Sequence, residues 1–416
     1  MAPETPSPEA TGSQSDSSAA ATFGAIETAL TDSGPAAAFD RLITSLREGK
    51  KFPQLFEALL MKKRHELGLP LQGTESIRDL PEELQDTVES YYVETCREVG
   101  KLFLENDDIP GAWPYFRAVD ETKPIAAAID AWTPSEDEET DSEPNYDEDS
   151  IDLCDAIVNI AFNEGASPVR GYELILSQYG TCRAITIFEH QFPFSGEVQE
   201  QCGVRLVKHL YDELLSSLRY DLEGRGKELP SDATVRSLVA AHPELFDEHG
   251  YHIDVSHLQS VIRSAPCLSS PDDLDLTIQM CEYGKNLARD FQMNDPAPFD
   301  DFYNDYRIFL RALAGEGIDG AIRYFQTKAD RASIDETGRH YPGEVFVHLL
   351  QRAGRYEEAI EAHLKYLTDV RGAITLAPTL PELAESGGVY DRVLERARQD
   401  EDLLQYTAAL VRRSEA

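Results

Sequence analysis

Basic side chains are scarce in this sequence: 38 Lys and Arg stand against 76 Asp and Glu, a formal net charge of −38 over 416 residues. Phosphate binding needs a positive footprint, so nucleic acid is excluded as a main partner. An anionic membrane surface is disfavoured for the same reason. Cysteine is sparse too. The six are Cys96, Cys154, Cys182, Cys202, Cys267 and Cys281, and no two form a C-x-x-C pair. That speaks against a zinc ribbon or a disulfide frame and fits reduced thiols in a cytoplasmic protein. No run approaches the ~18 apolar residues of a membrane helix. The opening MAPETPSPEATGSQSDSSAAATF has neither the basic nor the apolar region of a secretory signal. Also missing are G-x-S-x-G, a Walker loop and H-E-x-x-H, the common carriers of a nucleophile, a nucleotide phosphate or a catalytic zinc.

What is present is a chain that is 41% hydrophobic, enough to bury a core. The predicted fold class is all-α. Residues 1–21, rich in Ser, Thr, Pro, Ala and Gly, read as a disordered tail. Residues 22–133 read as N-terminal helical repeats: Leu84, Val88, Tyr91, Tyr92, Val99, Leu102 and Phe103 recur mostly at three- and four-residue steps. Residues 134–150, PSEDEETDSEPNYDEDS, hold no basic residue and read as an acidic linker. Residues 151–268 are an irregular helical region, and residues 269–416 a second set of repeats. The stretch TCRAITIFEH (181–190) is β-branched, but no partner strand is visible nearby, so helix is expected. Ser270-Pro271-Asp272-Asp273 has the form of a helix start.

Three segments share one internal layout. In Cys96–Val119 a small residue, Gly100, precedes Phe103; Asn106-Asp107-Asp108 forms the turn; Ile109, Ala112 and Phe116 set the face of a second helix; Pro124 closes the unit. Ile318, Ala321 and Phe325 repeat the second half, as do Gly354, Tyr356, Ala359 and His363. Two antiparallel helices joined by a short turn approach closely, so Gly or Ala sits where backbones touch and a large residue fills the gap beside it. A single pair leaves an outer face uncovered, so pairs stack. The layout resembles the tetratricopeptide repeat (TPR) family, and GRYEEAIEAHLKYL (354–367) looks like its G-x-Y-x-x-A-x-x-x-[YF] core with His363 in the aromatic position. The resemblance covers roughly 90–125 and 297–370 and is weak over 151–290, where Gly171 replaces the expected Ala. It implies an α-solenoid of antiparallel helix pairs, irregular in the middle, acting as a protein-interaction scaffold that holds a protein or peptide partner in a groove.

Several clusters carry possible chemistry. His252, Asp254 and His257 form H-x-D-x-x-H, His242 and His249 lie just upstream, and His190, His209 and Glu213 could reach them from neighbouring helices. Imidazoles with a carboxylate suit zinc or iron, and three ligands with an open position would suit hydrolysis or oxygen chemistry. Against this, a spacing of five does not align His252 and His257 on one helix face, and Asp254 has the look of a helix N-cap. Gly315-Glu316-Gly317-Ile318-Asp319-Gly320 matches G-x-G-x-x-G, but FLRALA before it is helical in pattern, which makes it a turn between helices. Asp141, Glu143, Asn145, Asp147, Asp149 and Asp152 imitate a calcium loop, except that Tyr146 stands where Gly is needed and Pro144 interrupts it. Lys62-Lys63-Arg64-His65 is the main basic cluster, suited either to a helix C-terminus or to an acidic peptide. Two functions compete: a non-catalytic TPR-like interaction scaffold without cofactor, and a helical metalloenzyme using zinc or iron on histidines of the 190–257 region.

Overall fold

The computed structural model describes residues 13–71, 80–134, 153–292, 295–368 and 370–415, with the side chains of 13–19, 248 and 249 outside that description. Among the described residues there are nineteen α-helices and no strand, as the periodicity predicts. No described helix is long and apolar enough to cross a membrane. The chain divides into two compact units, Met1–Gly171 and Tyr172–Ala416.

The first unit holds α1 (Ser13–Ser33), α2 (Pro35–Glu48), α3 (Phe52–Glu66), α4 (Glu82–Leu104), α5 (Ile109–Ala118), α6 (Lys123–Ala131) and α7 (Leu153–Val158). From α1 to α6, each helix packs on the next in sequence. The α4–α5 hairpin shows why. A Cβ on Gly100 would lie 2.7 Å from the Phe116 ring, so only glycine lets the two helices meet there. Ala112 and Phe116 are fully buried beside it. Asp108 ends the turn and caps α5, accepting from the Gly111 N–H at 2.8 Å. Phe103 meets Phe52 of α3 edge to face at 5.0 Å, which ties the hairpin to its neighbour.

Two boundaries differ from the composition-based reading. Helix α1 begins at Ser13, inside the expected tail, because Ala19, Ala20 and Ala21 carry strong helix propensity into the apolar run from Phe23; residues 1–12 lie outside the described residues. The division between units falls at 171/172 and not at the acidic segment, which apart from Pro134 lies outside the described residues. The reason is that residues 153–171 are fastened to the first block. Helix α7 packs on α5, the Trp113 indole N–H donates to Glu164 at 2.8 Å, and Ser167 donates to Asp130 at 2.9 Å. A single π-helical turn, Asn159–Asn163, sits in this connection.

The boundary lies within α8 (Pro168–His190), which contains the TCRAITIFEH stretch as helix and is broken at Gly180, φ 79. The second unit then runs α9 (Glu197–Gly224), α10 (Val235–Ala241), a 3-10 segment (Pro243–His249), α11 (Val255–Ser264), α12 (Pro271–Gly284), α13 (Phe302–Leu313), α14 (Ile318–Arg331), α15 (Tyr341–Arg352), α16 (Tyr356–Tyr366), α17 (Leu380–Gly387), α18 (Asp391–Gln399) and α19 (Leu403–Glu415). Helix α12 starts at Ser270 as expected, with Pro271 first and Asp272 and Asp273 in the first turn, although the Ser270 side chain makes no capping bond. The long α9 supports α10, α11 and α12, and from α12 onward each helix again packs on the next. The G-x-G-x-x-G stretch is the α13–α14 turn: Gly315 and Gly317 take φ 94 and 66, and α14 opens at Ile318. Gly354, φ 71, serves the α15–α16 turn. Ala321 and Ala359 are buried, as is Ala112.

Candidate functional site

The histidine region comes first, because it carried the metal reading. His252 precedes α11, and both of its ring nitrogens are engaged: Nε2 lies 3.1 Å from Asp221 of α9 and Nδ1 3.3 Å from the Tyr283 hydroxyl of α12. The His252 backbone N–H also donates to that hydroxyl at 2.8 Å. Asp254 is the N-cap of α11, accepting from Ser256 and from the His257 N–H, and the Ser256 hydroxyl leads in holding its carboxyl below the usual carboxylate range. His257 sits half-buried inside the first turn of α11, past the cap, so the five-residue spacing separates it from His252. His209 is exposed on α9 with Nε2 3.0 Å from the Thr181 hydroxyl. His190 ends α8, 3.8 Å from Glu189. His242 pairs with Glu244 at 3.1 Å. These residues are not brought together: among the described residues no group of three or more His, Cys, Asp or Glu is placed to hold a metal ion.

The other clusters are also accounted for locally. Lys62 donates to Asp40 at 2.6 Å, Lys63 reaches Glu66 at 3.6 Å and lies over the Tyr91 ring, and Arg64 donates to the Pro70 carbonyl at 2.7 Å. All stand in the last two turns of α3, where cations meet the negative end of the helix dipole. The calcium-like run 141–152 lies outside the described residues. Cys202 is buried, Cys267 is half-buried, and burial pushes both thiols up to about 12, which makes them inert near neutral pH.

The feature that sequence reading missed is a cleft of about 690 Å³ formed by α14, α15, α16 and the start of α18. Its floor is apolar: Ile322 from α14, Phe346 and Leu350 from α15, Ala362 from α16, and Val389 just before α18. Tyr366 sets one wall, meeting Phe346 edge to face at 6.1 Å. The rim is charged. Glu357, Glu358 and Glu361 come from α16 and Asp391 from α18, against Lys365 and Arg392. Both cations are already neutralised. Lys365 donates to Asp330 at 2.6 Å and to the Tyr366 hydroxyl at 2.9 Å; Arg392 pairs with Glu361 at 2.8 Å and Glu395 at 3.0 Å. Glu357 has no partner among the described residues. Glu358 pairs with Arg355 at 3.4 Å and Asp391 with Arg413 at 2.8 Å, so Glu357 is the unpaired carboxylate of a rim that holds four acids and two bases over an apolar floor. A sequence signal existed: Glu357 and Glu361 stand four apart, which places them along one side of a helix whose other side buries Ala359 and His363.

A second, smaller cleft of about 470 Å³ lies in the first unit, lined mainly by Leu42, Leu46, Pro53, Phe56, Ala58, Met61 and Tyr115. No family model, curated protein or solved structure matches the chain.

Proposed function

We propose that the chain is a non-catalytic protein-interaction scaffold, built from TPR-like helix pairs stacked as an α-solenoid within each unit, and that the α14–α16–α18 cleft takes a basic, apolar-anchored peptide segment of a partner protein. The observation that carries this reading is an acidic rim, with Glu357 unpaired and Glu358 held only by an exposed ion pair to Arg355, over the Phe346–Leu350–Ala362 floor. Apolar side chains of the partner would fill the floor, which supplies affinity. Lys or Arg between them would meet Glu357 and Glu358, which supplies specificity and speeds encounter. The stacking has its own support. Neighbouring helices pack in sequence order, and large residues of one pair press on glycines of the next: a Cβ on Gly387 of α17 would lie 2.4 Å from Tyr356 of α16. The net charge of −38 points the same way, toward cationic partners and away from nucleic acid.

The test is fluorescence anisotropy with two short synthetic peptides of equal length, one of Lys and Leu, the other of Glu and Leu. The Lys/Leu peptide is expected to bind and the Glu/Leu peptide not. Reversing Glu357→Lys and Glu358→Lys together should weaken binding about tenfold or more, equivalent to about 1.4 kcal/mol. The same reversal at Asp86 and Glu89, on α4, should leave it unchanged. Equal binding of both peptides, or equal effects of the two double variants, would overturn the reading.

A further inference from the structure

The cleft is ringed by ion pairs, and one of them reaches in from outside. Asp391 lines the cleft at the start of α18, and its carboxylate accepts from Arg413 at 2.8 Å. Arg413 stands in the last turn of α19, a helix that supplies no lining residue. The other rim cations belong to the cleft walls or brace them. Arg392 lines the cleft and serves Glu361 and Glu395. Lys365 lines it and holds Asp330 of α14. Arg355, just before α16, joins Glu358 to Asp319 of α14. Arg413 has Asp391 as its one ion-pair partner among the described residues. Its only tie to the cleft is therefore to cover that carboxylate.

The cover is loosely held. The Asp391 side chain is 90% exposed and that of Arg413 46%. An exposed pair of this kind stabilises little, because water screens the charges and both side chains lose freedom in meeting. Helix α19 is lightly seated as well. It packs on α17 and α18, yet Ala409 is its single buried residue, whereas α18 buries Val393, Leu394 and Ala397. A helix end held by so few buried contacts opens at low cost.

We infer that Arg413 is an internal competitor for the cleft: it occupies the Asp391 carboxylate that a cation of the partner peptide would otherwise take, and so holds the affinity of the cleft down. The inference rests on the cleft reading and adds a regulating residue to it. With the Arg413 pair closed, Glu357 is the rim acid left for a ligand. With it open, Asp391 joins Glu357, and α16 and α18 each offer a carboxylate. A ligand cation at Asp391 breaks one ion pair to make another, so it gains only the difference. Binding of a basic segment is thereby coupled to release of the last turn of α19.

The test is fluorescence anisotropy of the Lys/Leu peptide with the full chain and its variants. Arg413→Gln should bind about threefold tighter than the wild type, the size expected for one exposed pair, with an unchanged circular dichroism spectrum. Arg413→Lys keeps a cation beside Asp391 and should stay close to the wild type. Arg412→Gln removes the same charge one residue away, from pairs with Glu385 and Glu415, and should leave the affinity unchanged. Adding Asp391→Asn to Arg413→Gln should take the gain away. A peptide that binds neither the wild type nor Arg413→Gln would overturn the cleft reading and this inference with it. Suppose instead that the peptide binds the wild type. Then Arg413→Gln no tighter, Arg413→Lys or Arg412→Gln as tight as Arg413→Gln, or a gain that survives Asp391→Asn would each overturn the inference and leave the cleft reading standing.

Discussion

The second unit contains two neighbouring blocks that use their polar groups in opposite ways. In α9–α12 the polar side chains are spent on joining helices. Tyr211 of α9 donates to Gln279 of α12 and accepts from the Val235 N–H of α10; Arg236 of α10 pairs with Asp275 and Glu282 of α12; His252 bridges Asp221 and Tyr283. In α13–α16 the helices meet mostly through apolar registers, Ala321 with Phe325 and Ala359 with Ile360, and Glu357 of α16 is left unpaired at the rim of an open cleft, where Glu358 and Glu361 make only exposed ion pairs. The contrast teaches that versatile side chains concentrated in sequence are a poor guide to a site when each has a structural partner. Groups left over at an open apolar surface are the better guide.

The largest expected effect tests the main exception on the α13–α16 side. Asp305 is fully buried and accepts from Lys328 at 2.7 Å, from the Tyr324 hydroxyl at 2.6 Å and from the Asp301 N–H at 2.8 Å. Asp305→Ala should destabilise by about 3 kcal/mol in urea denaturation, because it strands several buried groups at once. A change near zero would mean that the network is not structural. Next come Ala321→Leu and Ala359→Leu, which should overpack their helix pairs and cost about 1–3 kcal/mol each, while Ala408→Leu on exposed α19 should change nothing. Unchanged melting of both buried variants would show the repeat register to be misplaced.

On the other side of the comparison, His252→Ala removes a bridge between α9 and α12 and should destabilise by about 1 kcal/mol. Metal addition should not alter the melting of the wild type through this residue; a large stabilisation by zinc, lost in His252→Ala, would revive the metal reading.

The smallest expected effect is a pH slope. The Nε2 of His348 is buried without a partner, and burial, aided by Arg352, pushes the imidazole down to about 4. Burial also lowers His363, whose Nδ1 is likewise unpartnered. Both rings stay neutral in the folded chain where the unfolded chain would bind a proton. Stability should therefore fall as pH drops from about 6.5 toward about 4. His348→Gln should flatten that slope, seen as melting temperature against pH; an equal slope in wild type and variant would contradict the assignment.

How much of this was legible in the sequence follows from what periodicity encodes. Local sequence identified the close helix approach at Gly100, the Asp254 cap and the Gly315–Gly317 turn, and the lack of a partner strand identified 181–190 as helix, all settled by neighbours within about twenty residues. It could not reveal that His252 is consumed by Asp221 and Tyr283, each thirty-one residues away, because one-dimensional spacing says nothing of which helix faces which. The cleft was hidden for the same reason. Glu357 and Glu361 were visible as one side of a helix, but the floor beneath them comes from α14 and α15.

The most direct measurement is hydrogen–deuterium exchange of the full chain with and without the Lys/Leu peptide. The account expects added protection confined to Ile318–Arg331, Tyr341–Arg352, Tyr356–Tyr366 and Asp391–Gln399, the helices that line the cleft. Protection centred instead on Glu197–Gly224 and Val255–Ser264, where the histidines lie, or none at all, would contradict it.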